Sequence, residues 1–147
     1  MKKEIKFEDN IAASAKHIWE TMLAPDTYKE WSGAAWPGSS YEGEWKEGAE
    51  IRFVSPEGEG TLVKILAYEP YHYISAEHIA VLLKGGAQDR ESEMAKDWVG
   101  STESYTFTEN NGTTLFSVQM RVSDGWADMF NTDWPKALAK LKAICER

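Results

Sequence analysis

The chain ends in the sequence WADMFNTDWPKALAKLKAICER, residues 126–147. Its apolar side chains recur at the three- to four-residue spacing of one face of a long amphipathic helix. They are Trp126, Met129, Phe130, Trp134, Ala137, Leu138, Leu141 and Ile144. Two indoles, a Phe and a Met give this face more bulk than packing against a single neighbour requires. We therefore expect a curved sheet to enclose the helix. Pro135 predicts either a kink or a new helix capped by Asp133.

The segment directly before this helix predicts a β-hairpin. Residues 101–108 and 113–123 alternate between apolar and polar side chains, and the Asn111-Gly112 pair between them favours a type I′ turn. Because side chains in a strand alternate between two faces, Tyr105 and Phe107 share a face with Glu103. On the second strand the side chains expected to face the core are Phe116, Val118, Met120 and Val122.

The first 100 residues supply the other predicted elements. Pattern and capping signals predict a strand at Lys3–Ile11, a short helix from Ser14 to Leu23 and a second from Thr27 to Trp31. Further strands are predicted at residues 41–45, 49–53, 61–68 and 71–83, and residues 87–99 predict a short helix or a mobile flap. This order predicts a single α+β domain over residues 1–147. A curved antiparallel sheet of about seven strands would wrap the C-terminal helix, with two short helices between strands 1 and 2.

Four segments in this order carry a family resemblance: IAASAKHIW (11–19), YKEW (28–31), GTLVKI (60–65) before Glu69-Pro70, and WPKALAKLK (134–142). With them the chain resembles the START-like (SRPBCC) superfamily, and within it the family named after activators of the heat-shock protein 90 ATPase. The resemblance implies a helix-grip fold, with a cavity between sheet and helix that often takes apolar ligands. It implies no catalytic set. Such activators also carry a separate chaperone-binding domain that this sequence does not contain, so chaperone activation does not follow from the resemblance.

Composition narrows the class of partner. The net charge of −8 disfavours nucleic acid and anionic membranes as partners, and no window approaches the ~20 apolar residues of a membrane span. The N-terminus shows no apolar signal segment, and the single cysteine, Cys145, is expected as a small core residue, so a cytoplasmic location is predicted. Seven tryptophans in 147 residues suit a core with a cavity or an interface.

Two glutamates are candidate polar anchors for a mostly apolar ligand. The strand at 71–83 is about equally apolar on both faces, and the prediction places Tyr73 and Glu77 inward. Glu103 and Glu77 would then lie in the cavity with Tyr73 and Tyr105, with pKa values raised by desolvation. The alternative is that both glutamates are ordinary paired carboxylates, for example with Arg121 or Arg52.

The predicted ligand-binding residues lie on the strand at 71–83, on the hairpin at 101–123, on the apolar face of the C-terminal helix and in two irregular segments. Residues 32–40 and 87–99 would form the entrance, where Trp36 and Trp98 either plug the cavity or form a patch for a protein partner. The full set is Trp36, Tyr73, Glu77, Trp98, Glu103, Tyr105, Phe116, Met120, Trp126, Met129 and Phe130.

The leading functional hypothesis is a non-enzymatic protein that binds a small apolar or amphipathic molecule. The first alternative is an interaction or chaperone-associated protein with a collapsed cavity, and the second is a cavity enzyme of polyketide cyclase or isomerase type. No catalytic residue, cofactor or metal is predicted. His72 and His78 would be about 20 Å apart along one strand, too far to share an ion, and are expected as surface or internally hydrogen-bonded histidines.

Overall fold

The computed structural model describes residues 2–147, which form eight strands and four helices. In chain order these are β1 (Lys2–Ile11), α1 (Ala15–Leu23), α2 (Pro25–Ser32), β2 (Ser40–Glu42), β3 (Glu50–Val54), β4 (Gly60–Glu69), β5 (Tyr73–Leu82), β6 (Gln88–Asp89), α3 (Glu93–Trp98), β7 (Thr102–Asn110), β8 (Thr113–Ser123) and α4 (Asp124–Glu146).

The strands form one antiparallel sheet in the order β1-β8-β7-β5-β4-β3-β2, with the two-residue β6 beside β5. The predicted α+β class, the two short helices after the first strand and the long C-terminal helix are confirmed. β6 is an additional strand. Residues 93–98 form α3, whose N-cap Ser92 accepts a hydrogen bond from the Ala95 N–H at 3.1 Å. The segment at 87–99 thus contains the predicted short helix.

Helix α4 is continuous for 23 residues, with Pro135 inside it and exposed. It begins at Asp124, two residues before the predicted start, and no new helix begins after Asp133. Six of the eight residues in the predicted stripe are buried: Phe130, Trp134, Ala137, Leu138, Leu141 and Ile144. Trp126 is half-buried and Met129 is exposed, while Ala127 and Cys145 are also buried.

Hydrogen bonds connect the C-terminal end of α4 to residues near β1 and in α2. The Glu146 carboxylate accepts a hydrogen bond from the Ala12 N–H at 2.8 Å. The Arg147 guanidinium donates to both oxygens of Glu30, at 2.8 and 3.2 Å. These contacts hold the helix end beside β1 and α2 while the middle of the helix faces the sheet.

The β7–β8 hairpin follows its prediction closely. Asn111 and Gly112 have φ angles of 55° and 81°, as the type I′ turn requires. Glu103, Tyr105 and Phe107 are buried on β7, and Phe116, Val118, Met120 and Val122 are buried on β8. The inner face of the sheet is therefore fixed for both strands.

The predicted inner face of β5 is wrong. The buried side chains are Ile74, Ala76, His78, Ala80 and Leu82, and Ala76 pairs in register with Glu103 of β7. Tyr73 and Glu77 alternate with them on the outer face, where Glu77 pairs with Thr102. Both faces of this strand are apolar enough that alternation alone could not separate them, and the register with β7 decides the matter.

Candidate functional site

A cavity of about 580 Å³ lies between α4 and the inner face of the sheet. The end of α2, the loop at residues 35–39 and helix α3 complete its wall, so both segments predicted as the entrance contribute to it. Met94 of α3 and Met129 of α4 line the cavity and are 47% and 37% exposed. These two methionines therefore mark its opening to solvent.

Aromatic side chains dominate the wall of the cavity. Ten of them contribute, including six of the seven tryptophans of the chain. They are Tyr28, Trp31, Trp36, Trp45, Phe53, Trp98, Tyr105, Trp126, Phe130 and Trp134. Only Trp19 lies elsewhere, in the core beside Tyr68 and Phe107.

Side chains of the wall contact one another in a closed path. The successive ring pairs, with centroid distances, are His78–Trp98 (4.3 Å), Trp98–Phe130 (5.9 Å), Phe130–Trp36 (6.4 Å), Trp36–Trp134 (5.5 Å) and Trp134–Tyr105 (6.1 Å). The Tyr105 hydroxyl donates to Glu103, and Glu103 contacts His78, which closes the path. The indoles are thus held by packing against each other and leave the cavity open.

Glu103 is the buried carboxylate of the site. It is 8% exposed and projects from the inner face of β7. One carboxylate oxygen, Oε2, accepts the hydrogen bond from Tyr105. The other, Oε1, lies 2.7 Å from Nε2 of His78, although the ring N–H is too poorly aligned to count as a regular hydrogen bond. Both oxygens therefore have polar neighbours inside an otherwise apolar wall.

His78 is held from its other side by β4 and α3. Its Nδ1 lies 2.8 Å from Oγ1 of Thr61, and the same oxygen accepts a hydrogen bond from Nε1 of Trp98 at 2.8 Å. At 2% exposure the imidazole has almost no contact with solvent. The polar chain Trp98–Thr61–His78–Glu103–Tyr105 therefore crosses the wall of the cavity.

The contacts within this polar chain of side chains determine the charges of Glu103 and Tyr105. Burial raises the pKa of Glu103, but the hydrogen-bonding contact with His78, the charge of that ring when protonated and the Tyr105 hydroxyl together lower it below its ordinary value. The raised pKa predicted for Glu103 is therefore wrong, because its neighbours outweigh desolvation. Burial, with the charge and hydrogen bond of Glu103, raises the pKa of Tyr105 well above its ordinary value, so Tyr105 is a neutral donor.

Eight of the eleven predicted residues line the cavity. They are Trp36, Trp98, Glu103, Tyr105, Met120, Trp126, Met129 and Phe130. Tyr73 and Glu77 do not, because they lie on the outer face of β5. Phe116 points inward but packs beneath the wall, with its ring 6.3 Å from Tyr105 and 5.1 Å from Phe107. Its predicted role in lining the cavity is therefore wrong, although its predicted face is right.

Sequence reasoning missed His78 and Thr61. Both are brought to Glu103 by the pairing of the consecutive strands β4 and β5 with β7, which follows only after β6 and α3. The available signal was the alternation Ile74, Ala76, His78, in which a histidine continues an apolar face. Trp134, which lies on the predicted apolar face of the C-terminal helix, also lines the cavity.

Within residues 2–147, no group of three or more His, Cys, Asp or Glu side chains is placed to hold a metal ion. In the same part of the chain, no helix combines the length and apolarity needed to cross a membrane.

An open antiparallel sheet beside a long C-terminal helix, with a cavity between them, defines a helix-grip protein. The sequence profile of the family described as "Activator of Hsp90 ATPase homolog 1-like protein" matches residues 12–146. The chain belongs to this family, which confirms the resemblance noted from the sequence.

Solved structures agree with this fold. Protein CV1439 from Chromobacterium violaceum superposes with a TM-score of 0.72 at 14% identity, over 98% of this chain and 97% of that one. The Aha1 dimer from Colwellia psychrerythraea gives 0.68 at 21% identity, over 98% and 96%. CalU16 from Micromonospora echinospora gives 0.66 at 16% identity, over 95% and 74%. No curated protein matched the sequence.

Proposed function

We propose that this protein binds a small, mainly apolar molecule in the cavity between α4 and the sheet. The observation that carries the proposal is the cavity itself: about 580 Å³, walled by ten aromatic side chains and a few polar groups. This volume and composition are typical of small-molecule sites, which span roughly 300–1,000 Å³ and combine apolar walls with a few placed polar groups.

The placement of Trp36 and Trp98 supports a binding cavity over a collapsed one. Both indoles pack edge-on or face-on against Phe130, with centroids 6.4 and 5.9 Å apart, and so form wall instead of filling the space. A protein that used these indoles to dock a partner would present them to solvent, yet Trp98 is only 5% exposed and Trp36 is half-buried.

The Glu103–His78 pair supplies the polar anchor of the proposed site. The Glu103 carboxylate lies in the wall and has lone pairs left to accept from one polar group of a ligand. In this proposal the protein acts in the reducing cytoplasm, where Cys145 remains a buried thiol.

A fluorescence titration with Nile red, a neutral apolar dye, tests the proposal. Six tryptophans line the cavity, so we expect saturable quenching or a spectral shift of protein fluorescence together with blue-shifted dye emission. The variant Ala35→Phe would add a ring to the cavity wall and should weaken binding at least about tenfold, since an occupied volume excludes the dye.

The neighbouring residue offers a matched control. Ala34 is exposed and does not line the cavity, so Ala34→Phe makes the same chemical change outside the site and should leave binding within about twofold. Equal effects of the two substitutions, or no saturable binding to the unaltered protein, would contradict the proposal.

A cavity enzyme is a second candidate, favoured by one observation. A histidine and a carboxylate 2.7 Å apart beside an apolar cavity are groups of the kind that transfer protons in general acid–base catalysis. Incubating the protein with any molecule it retains through purification, followed by mass spectrometry, tests this. A product that the Glu103→Gln variant fails to form would support catalysis, and an unchanged molecule would exclude it for that compound.

A further inference from the structure

We propose that the ligand of this cavity carries a basic amine, protonated to an ammonium, on an aromatic or apolar body. This inference rests on the proposed function, because it names the chemical class of the molecule bound. It follows from the charge of the cavity, from the unused lone pairs of Glu103 and from the aromatic rings around them.

The cavity wall contains carboxylates and one histidine but no side chain with a permanent positive charge. Among residues 2–147, the lining includes no Lys or Arg side chain. Glu103 lies in the wall, Glu59 adds an exposed carboxylate at the edge, and His78 is the one side chain there that could become cationic. An anionic ligand would thus meet a buried carboxylate with no fixed cation to offset it, at a high desolvation cost.

The hydrogen bonds around His78 accommodate a neutral ring as well as a protonated one. Oγ1 of Thr61 receives the Trp98 N–H and has one hydrogen of its own to donate. It lies 2.8 Å from Nδ1 of His78 and 3.4 Å from the Ala80 carbonyl, and in the neutral arrangement its hydrogen points to the nearer Nδ1. Nδ1 is then an acceptor, and the ring carries its hydrogen on Nε2 beside Glu103. With this neutral ring, the charge of the carboxylate is left for a ligand to balance.

Glu103 has room for a further donor. A carboxylate offers about four lone-pair sites; Tyr105 donates to one, and Nε2 of His78 lies 2.7 Å from Oε1 beside another. An ammonium in the cavity could donate to the remaining sites. It would also lie among Tyr105, Trp134 and neighbouring rings, whose faces attract cations, most strongly for Trp. A single ammonium group would therefore interact with both the Glu103 carboxylate and the aromatic rings of the wall.

Three probes with the same body and different polar groups test this: 2-naphthylmethylamine, 2-naphthylmethanol and 2-naphthoic acid. Isothermal titration calorimetry at pH 7 should give the amine the lowest Kd, at least about tenfold below that of the acid, with the alcohol between them. An acid that binds as tightly as the amine would overturn the inference, whatever the variants do.

The variant Glu103→Gln removes the charge and keeps an oxygen to accept from Tyr105. It should weaken amine binding about tenfold or more and leave the alcohol within about twofold, so the alcohol also reports that the cavity is folded. Glu77→Gln is the matched control, since Glu77 lies on the outer face of the adjacent strand, and both Kd values should stay unchanged.

The outcomes separate this inference from the proposed function. Binding of the alcohol with no preference for the amine, or an amine preference that survives Glu103→Gln, overturns the ammonium assignment and leaves a neutral binding cavity. Failure of Nile red and all three probes to bind overturns the proposed function, and this inference with it.

Discussion

Replacing Tyr105 by Phe removes one hydroxyl and tests the buried polar chain directly. Tyr105 and Glu103 are 6% and 8% exposed, so water cannot replace the lost donor freely. A hydrogen bond to a charged group contributes about 1.5–3 kcal/mol, and a buried ionised oxygen left without its donor adds a desolvation cost. At pH 7 we expect Tyr105→Phe to lower the free energy of unfolding by about 2–3 kcal/mol.

The loss should depend on pH in a defined direction. The pKa of Glu103 is lowered in the folded protein, so its ionised form contributes stability that is present above the unfolded value of about 4.3 and is lost as the pH falls through the folded value. Tyr105→Phe raises the folded pKa of Glu103 and removes part of that contribution. The difference in free energy of unfolding between the unaltered protein and Tyr105→Phe should therefore be largest at neutral pH and become smaller below about pH 4.

Urea denaturation followed by tryptophan fluorescence at several pH values measures this difference. Tyr73→Phe is the control, because Tyr73 lies on the outer face of β5 and should change the free energy of unfolding by less than about 0.5 kcal/mol. A loss below about 0.5 kcal/mol for Tyr105→Phe at pH 7, or a loss that does not vary with pH, would refute the reasoning.

Three further substitutions probe the fold around the cavity. Trp134→Ala removes an indole that is 3% exposed and stacked on Trp31, and it should cost about 3–5 kcal/mol in urea denaturation; a cost under 1 kcal/mol would be incompatible with its packing. Gly60→Ala would place a Cβ 1.8 Å from the Phe53 carbonyl oxygen, so we expect loss of the native near-ultraviolet circular dichroism spectrum, and a native spectrum would contradict the close approach of β3 and β4. The Cβ that Gly125→Ala adds in the first turn of α4 would have no atom within 4 Å. The higher helix propensity of Ala should stabilise the protein by about 0.5 kcal/mol and raise its melting temperature. A lower melting temperature would count against the helix start.

The fold was predictable because its strongest local patterns agree with its tertiary structure. The stripe on α4 and the alternation on β7 and β8 each separate apolar from polar side chains cleanly. Each pattern therefore assigns one face to the core, and the Asn111-Gly112 turn fixes the register between the two strands. Glu103 could be placed in the interior for the same reason.

The partner of Glu103 could not be predicted, because it is set by pairing between distant strands. On β5 both faces are apolar, so the choice of Tyr73 and Glu77 as inward residues had little support. The register with β7 places His78 next to Glu103, and the register with β4 brings Thr61 to the same imidazole. Likewise, whether Phe116 lines the cavity or lies beneath it depends on side-chain packing that periodicity does not encode.

A crystal structure of the protein soaked with 2-naphthylmethylamine tests the account most directly. We predict density for the naphthyl group between α4 and the sheet, with the nitrogen within hydrogen-bonding distance of a Glu103 carboxylate oxygen. A cavity closed by Trp36 or Trp98, or a well-ordered probe bound only outside it, would contradict the account.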